Sequence, residues 1–430
     1  MLHLRQFFLF FLFVSLCSPA ISQQVEIRQT SSTGIYHAGE PVRVNLFLQD
    51  IEVDSIHIKI DRNYTNSGKW KTVATPQNEM LLYEGSSEKP LAMVFSVKVG
   101  EEITSSGLII DPEELKPATP RPEDFEQFWK NEKEALRKLP MEVKKTPVDT
   151  KEPGFICEDV ELNCTGPKPA RGYFAKPVNA EKGSLPIVLY VHAAGVNGDW
   201  CLSKPGTALD YAKKGKGALS FDLNAHGMLN GQPQQYYDDL QNGELKNYWE
   251  IGAENREGNY FRGMYLRLIR TLDFLCEQPE WDGKRILVIG ESQGGGQALV
   301  AAGLDHRVSA AVAIVPAMCD FGRQLNGETG GWPNPYAFQK KKEKMLATFP
   351  YFDAAHILKG AKATLVTEIG LIDYTCPSLG IYAAINQNHG EKITLVTTYR
   401  GHHLDQQQFQ KEWEEKIYTP RMQFIEDYLK

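Results

Sequence analysis

Three side chains, widely separated along the chain, have the types and the order needed to open an ester: Ser292, Asp373 and His402. A serine hydroxyl is a poor nucleophile at neutral pH. It needs an imidazole to take its proton and a carboxylate to hold that imidazole in the correct tautomer. Ser292 lies in Gly290-Glu291-Ser292-Gln293-Gly294, the Gly-x-Ser-x-Gly spacing of a sharp strand-to-helix turn that presents the hydroxyl at the top of a sheet. Any Gly-rich turn can hold a serine by chance, so the flanks decide. The apolar run 286–289 before it reads as a buried strand and the Ala-rich run 297–302 after it as a packed helix, which is the context the spacing requires. The helix start also offers free N–H groups to a developing oxyanion. The expected donors are the backbone N–H of Gln293 and one from the loop 192–195, at Ala193 or Ala194.

Asp373 follows a strand pattern over 363–369, and His402 follows another over 393–399. Both therefore arrive where a parallel sheet would deliver them, in the order serine, acid, histidine. Glu368 and Asp405 are rival acids, but Glu368 still belongs to its strand and Asp405 is too close in sequence to the histidine to arrive independently. His403 is a rival base that spacing alone does not eliminate. His226, just past the run 218–223, is a candidate substrate contact, with a structural hydrogen bond to its loop as the alternative. Trp332 and Tyr336 lie in an insertion, residues 320–359, that reads as a lid or substrate wall; they and Tyr236 and Tyr237 could stack on a sugar ring or simply pack. No Cys-x-x-Cys pair and no His-Glu-x-x-His occurs, so no metal is indicated.

The elements that must position these groups fit within 430 residues, enough for two or three domains, and 42% hydrophobic content supports a sizeable core. The net charge is −7, and the one basic cluster, Lys340 to Lys344, is interrupted by Glu343. That excludes a nucleic-acid partner. Residues 1–22 read as a signal peptide: Arg5 supplies the positive end, 7–16 the apolar run, and Ala20-Ile21-Ser22 the small residues before cleavage near Gln23. The expected product is secreted or periplasmic and free of the membrane, since nothing later approaches the roughly twenty apolar residues of a span. Six cysteines follow: Cys157, Cys164, Cys201, Cys276, Cys319 and Cys376. Their spacing makes no disulfide framework, and buried thiols are expected for most.

Residues 23–107 show period two, as in Val42, Val44, Leu46 and Leu48 or Met93, Phe95 and Val97, with turns at Gly34, 39–41 and 66–68. This predicts a small β-sandwich of immunoglobulin-like character. It carries no concentration of reactive side chains; binding a polysaccharide, bracing an oligomer, shielding the site mouth and simple packing are all open to it, packing being the simplest. A proline-marked junction, 111–122, leads to a helix with Phe125, Phe128, Trp129, Leu136 and Leu139 on one face. From there to residue 430 strands and helices alternate, which predicts a doubly wound α/β domain with a mostly parallel sheet over 108–430.

Taken together, Asp111-Pro112, Pro122-Glu123-Asp124-Phe125 with Phe128-Trp129, the Ser292 turn with Gly295, Tyr351-Phe352-Asp353, Gly370-Leu371-Ile372-Asp373 with Cys376-Pro377, and Gly401-His402 resemble the acetyl xylan esterase and cephalosporin C deacetylase family over about residues 108–430. The resemblance implies an α/β-hydrolase that removes acetyl groups from sugars and related small acetates without a cofactor, with Ser292, Asp373 and His402 as its triad, and it favours His402 over His403. The chain departs from the family in three places: His192-Ala193-Ala194 in place of His-Gly-Tyr, Asn224-Ala225-His226 in place of Arg-Gly-Gln, and His403 in place of Glu. They bear on the acyl pocket, the substrate and the family's hexameric assembly, so a homo-oligomer stays open. The expected partner is an acetylated carbohydrate. A peptidase or general ester hydrolase on the same triad, and a non-catalytic glycan-binding protein, are the alternatives.

Overall fold

The structure, a computed structural model, describes residues 24–337 and 342–430. The expected signal peptide, and Lys340 and Lys341 of the basic cluster, lie outside the described residues. Among the described residues, no helix is long and apolar enough to cross a membrane, and the six cysteines are all free thiols.

The first strands are β1 (Gln24–Gln29), β2 (Ile35–Tyr36), β3 (Val42–Gln49), β4 (Ser55–Arg62), β5 (Lys71–Ala74), β6 (Glu79–Gly85), β7 (Leu91–Val99) and β8 (Glu102–Ile110). They form a three-stranded sheet, β1-β3-β6, facing a five-stranded one, β2-β8-β7-β4-β5. The expected sandwich is there, but its last strand runs to Ile110, past the boundary expected at 107. Alternation explains how it sits. On β7 and β8, Met93, Phe95, Leu108 and Ile110 point between the two sheets, while Ala92, Val94 and Ile109 on the opposite face join the main core of the following domain. A strand apolar on both faces must be covered on both.

The second domain opens with α1 (Phe125–Lys138). Its Phe128 and Trp129 are buried and the Trp129 indole N–H donates to Tyr351 O at 3.0 Å; burying two such rings contributes on the order of 2–3 kcal/mol each. The nine-stranded sheet has the order β17-β16-β15-β14-β12-β13-β11-β10-β9. Its strands are β9 (Val143–Pro147), β10 (Phe155–Leu162), β11 (Ala170–Pro177), β12 (Leu185–Val191), β13 (Leu219–Asn224), β14 (Trp281–Glu291), β15 (Ala310–Ile314), β16 (Thr364–Gly370) and β17 (Lys392–Thr397). The β9, β10, β11 and β13 pairings are antiparallel. From β13 through β12 to β17 the sheet is parallel, so the loops at the carboxyl ends of β12, β14, β16 and β17 gather along one edge, where α/β sheets bind ligands.

Helices α2 (Pro205–Ala212), α3 (Gln234–Asn242), α4 (Tyr260–Cys276) and α5 (Gln293–Leu304) follow in chain order, then α6 (Lys342–Thr348), α7 (Ala354–Ile357), α8 (Ser378–Ile385), α9 (Gln410–Trp413) and α10 (Thr419–Tyr428). The insertion 320–359 is not a lid in its second half. Phe349, Tyr351, Phe352, Ala354 and Ile357 are buried in the main core, because Asp353 caps α7 and also accepts the N–H groups of Asp320 and Phe321, each at 2.8 Å.

Candidate active site

Ser292 stands between β14 and α5 with φ 55° and ψ −117°, a sparsely populated backbone for a non-glycine residue that persists only where its surroundings over-determine it. They do so here. Its N–H donates to Ile314 O at 2.9 Å, and its carbonyl accepts from the N–H groups of Gly296 and Ala317, both at 2.9 Å. Gly294 permits the next approach, since a methyl on its Cα would lie 2.3 Å from Val191 O and 2.9 Å from His192 O. The loop that follows β12 therefore rests against the first turn of α5, whose leading N–H groups have no partner within the helix.

Asp373 lies just past β16 and His402 just past β17, so neighbouring parallel strands bring them to the serine. His402 Nε2 is 2.9 Å from Ser292 Oγ, and its Nδ1 is 2.9 Å from Asp373 Oδ2. The other carboxylate oxygen, Oδ1, accepts the N–H groups of Thr375 at 2.7 Å and Cys376 at 2.8 Å. The carboxylate is fully buried and clamped on both oxygens; the serine is 7% exposed. This is the geometry in which an imidazole withdraws a hydroxyl proton while a carboxylate steadies the resulting charge.

The rivals go elsewhere. His403 and Asp405 are exposed. Glu368 is buried inside β16, where it accepts the Trp413 indole N–H at 2.7 Å and pairs with Arg400 and Arg421. Arg400, two residues before His402, also reaches Glu291 at 3.4 Å, and burial pulls its guanidinium down to about 10.

The candidate oxyanion loop is held from three sides. His192 Nε2 bonds to the buried Asp222 carboxylate and its Nδ1 faces Trp200 O at 3.2 Å. Gly195 O accepts from His226 Nε2 at 2.8 Å, and Ala194 O accepts the Trp200 indole N–H at 2.9 Å. Ala193 and Ala194 are partly exposed at this edge. Gln293, first residue of α5, turns its side chain inward, where Oε1 accepts the Tyr248 hydroxyl.

His226 does not meet a substrate. It is 1% exposed, with one ring nitrogen on Gly195 O and the other 2.6 Å from the Tyr260 hydroxyl. Burial, with Arg267 nearby, pulls it down to about 3; it stays neutral and braces the loop, the structural alternative open to it in the sequence. Tyr336 is likewise buried, its ring 6.1 Å from that of Phe349, because the insertion folds into the core. Trp332 is partly buried in a group with Tyr248, Trp249 and Phe261, and its backbone N–H donates to Thr375 O at 3.0 Å, beside the acid loop. Tyr237 is buried and donates to Leu229 O at 3.0 Å; the Tyr236 hydroxyl accepts the Leu229 N–H at 3.2 Å. Sequence reading missed Trp200, which is 65% exposed although its indole N–H is fixed on Ala194 O. The signal available was an aromatic residue close behind the oxyanion strand.

Among the described residues, Asp373, Cys376 and His402 bring metal-ligating atoms within 4.8 Å of one another. Those of Asp373 and His402 are already spent on the hydrogen bonds above. Burial pushes the Cys376 thiol well up, away from the thiolate that a metal needs.

With this geometry in hand, comparison with known proteins converges. Acetyl esterase Axe7A of Xylanibacter ruminicola is 30% identical over 351 residues, covering 79% of this chain and 76% of its own. The solved acetyl xylan esterase from Paenibacillus sp. R4 is 28% identical with a TM-score of 0.60, over 74% of this chain and 98% of its own. Acetyl xylan esterase 1 from Thermoanaerobacterium sp. JW/SL YS485 shares the fold at 20% identity and a TM-score of 0.56, with the same coverage. The acetyl xylan esterase (AXE1) family pattern matches residues 111–419, so this chain belongs to the acetyl xylan esterase family and is a carboxylic ester hydrolase.

Proposed function

We propose that the protein removes acetyl groups from an acetylated carbohydrate, a xylan-type or related oligosaccharide, through an acyl-enzyme on Ser292. The observation that carries this reading is the line Asp373 Oδ2, His402 Nδ1 and Nε2, Ser292 Oγ, with 2.9 Å at each junction, in a chain of this family. Ser292 Oγ attacks the acetyl carbonyl as His402 Nε2 takes its proton, and the oxyanion is met by backbone N–H groups of Gln293 and of Ala193 or Ala194. His402 returns the proton to the departing sugar oxygen. Water then attacks the acetyl-serine, giving its proton to His402, and acetate leaves as the serine recovers a hydrogen.

Arg5 and the apolar run 7–16 support export, with cleavage near Gln23. Two measurements test the chemistry. Rapid quench during turnover of acetylated xylo-oligosaccharide is expected to give a mass increase of one acetyl group on the peptide holding Ser292, and acetate release is expected from that substrate and not from a peptide panel. An adduct on another residue, or peptide cleavage in place of acetate release, would sink the proposal.

Trp200 supplies the sugar-side test. A fixed, exposed indole beside the candidate oxyanion loop is a platform for a sugar ring. Trp200→Ala is expected to raise KM for acetylated xylo-oligosaccharide about tenfold while leaving p-nitrophenyl acetate, which has no ring to stack there, within about twofold. Equal changes for both substrates would remove Trp200 from sugar binding.

A further inference from the structure

The β-sandwich touches both catalytic loops, and those contacts define a role for it. Tyr64, in the turn two residues past β4, is 1% exposed. Its hydroxyl donates to Leu371 O at 3.0 Å, leaving its oxygen to accept from Ser378 Oγ at 2.7 Å. Those two partners bracket Asp373, one before it and the other opening α8 after it. The neighbouring Tyr374 stacks edge-on against Tyr64 at 5.4 Å and donates to Asp61 Oδ2 at 2.8 Å. Asp61 is itself fixed, since it accepts the N–H groups of Asn66 at 2.9 Å and of Ser67 and Gly68 at 3.1 Å each. Tyr64 holds φ 54°, and Asn63 and Asn66 beside it are also left-handed. A bulky residue keeps such a backbone only when the surroundings impose it.

The histidine loop is gripped by the same domain. Gln406 Nε2 donates to Ser105 O on β8 at 2.9 Å and to Tyr399 O at 2.8 Å, and Gln406 Oε1 accepts the Ser105 N–H at 3.1 Å. Tyr399 and Gln406 lie on either side of His402. Gly107 stands between the two loops: its N–H donates to Thr398 O at 2.7 Å, and a methyl on its Cα would fall 2.1 Å from Leu371 O. One strand of the sandwich therefore contacts the acid side and the base side at a single residue.

We infer that the sandwich is a positioning element of the active site, with Tyr64 setting the Asp373 loop and the Ser105–Gln406 pair setting the His402 loop. The inference rests on the Ser292, His402 and Asp373 reading above and adds to it the source of their alignment. Because an acid that drifts by a fraction of an ångström no longer orients the imidazole, the role is read in kcat and in nucleophile reactivity, with KM unaffected.

Tyr64→Phe removes one hydroxyl and keeps the ring. It is expected to lower kcat about tenfold with KM for p-nitrophenyl acetate within about twofold, and to slow phosphonylation of Ser292 by a fluorophosphonate by the same factor. Leu46→Ala supplies the comparison, since Leu46 is buried in a sandwich cluster that contains no residue of either loop. It is expected to lower Tm by more than Tyr64→Phe does while leaving kcat at 25 °C within about twofold; the milder Ile56→Val, in the same cluster, serves if Leu46→Ala does not fold. A Tyr64→Phe enzyme with unchanged kcat and phosphonylation rate, beside an inactive Ser292→Ala enzyme, overturns the positioning role alone. So do kcat losses in both sandwich variants that track their Tm. Turnover retained by Ser292→Ala overturns the underlying reading instead.

Discussion

Ser292→Ala is expected to lower kcat for acetate release by about four to six orders of magnitude, with KM changed by no more than about threefold. Among the described residues, the serine oxygen is the only group 2.9 Å from His402 Nε2 that can carry the acyl group, and water held there would lack its fixed position. Folding should survive. The turn is held by backbone bonds from residue 292 to Ile314, Gly296 and Ala317, none of which uses the hydroxyl, so Tm is expected to stay within a few degrees. Residual activity above background would come from the oxyanion donors alone. Steady-state acetate release with a melting curve on the same preparation decides the matter. A variant that folds and keeps more than about a hundredth of wild-type kcat would move the nucleophile elsewhere.

Asp373→Asn should come close, with kcat lower by about 10⁴-fold, and the surroundings of this residue say why the isosteric change is so severe. Oδ1 accepts two backbone N–H groups, from Thr375 and Cys376. An asparagine there must turn its carbonyl oxygen toward those donors and its NH₂ toward His402. Facing a donor, Nδ1 of His402 gives up its proton, which then sits on Nε2, where it blocks acceptance from Ser292. The expected signature is a large kcat loss with KM nearly constant and a crystal structure superimposable on the parent. Only a small loss, under about tenfold, would mean that Asp373 is a loop anchor and that another group orients the imidazole.

The sequence carried the reactive line well because each of its members sits at a strand end, and strand ends follow from apolar runs of the right length. Ser292 needed only its flanking runs, and Asp373 displaced Glu368 by lying beyond the strand. His402 and His403 are adjacent, so spacing left both open and the family resemblance made the choice; the structure puts His402 on the serine and His403 in solvent. Side-chain roles were harder wherever burial decides them. His226 looked like a polar group at a strand end, yet its ring closes a bond to Gly195 O that joins residues far apart in sequence. Tyr336 looked like a loop aromatic, but the insertion packs inward. The run 91–97, Leu-Ala-Met-Val-Phe-Ser-Val, did hold a clue about the sandwich. Alternation was read on Met93, Phe95 and Val97, while the apolar Ala92 and Val94 between them marked a second buried face. Tyr64 left no such mark, because a hydroxyl's partners three hundred residues away leave no local pattern.

The Glu368 cluster ties β16 to the last helices. Its carboxylate, two residues before the end of β16, is satisfied by Trp413, Arg400 and Arg421 together. Two of those three, Trp413 and Arg421, follow Ser292, Asp373 and His402 in the sequence. Without those two the buried carboxylate would keep Arg400 as its partner, and an under-neutralised interior charge is costly. The strand that delivers Asp373 therefore depends on helix α10, which holds Arg421, for its charge balance.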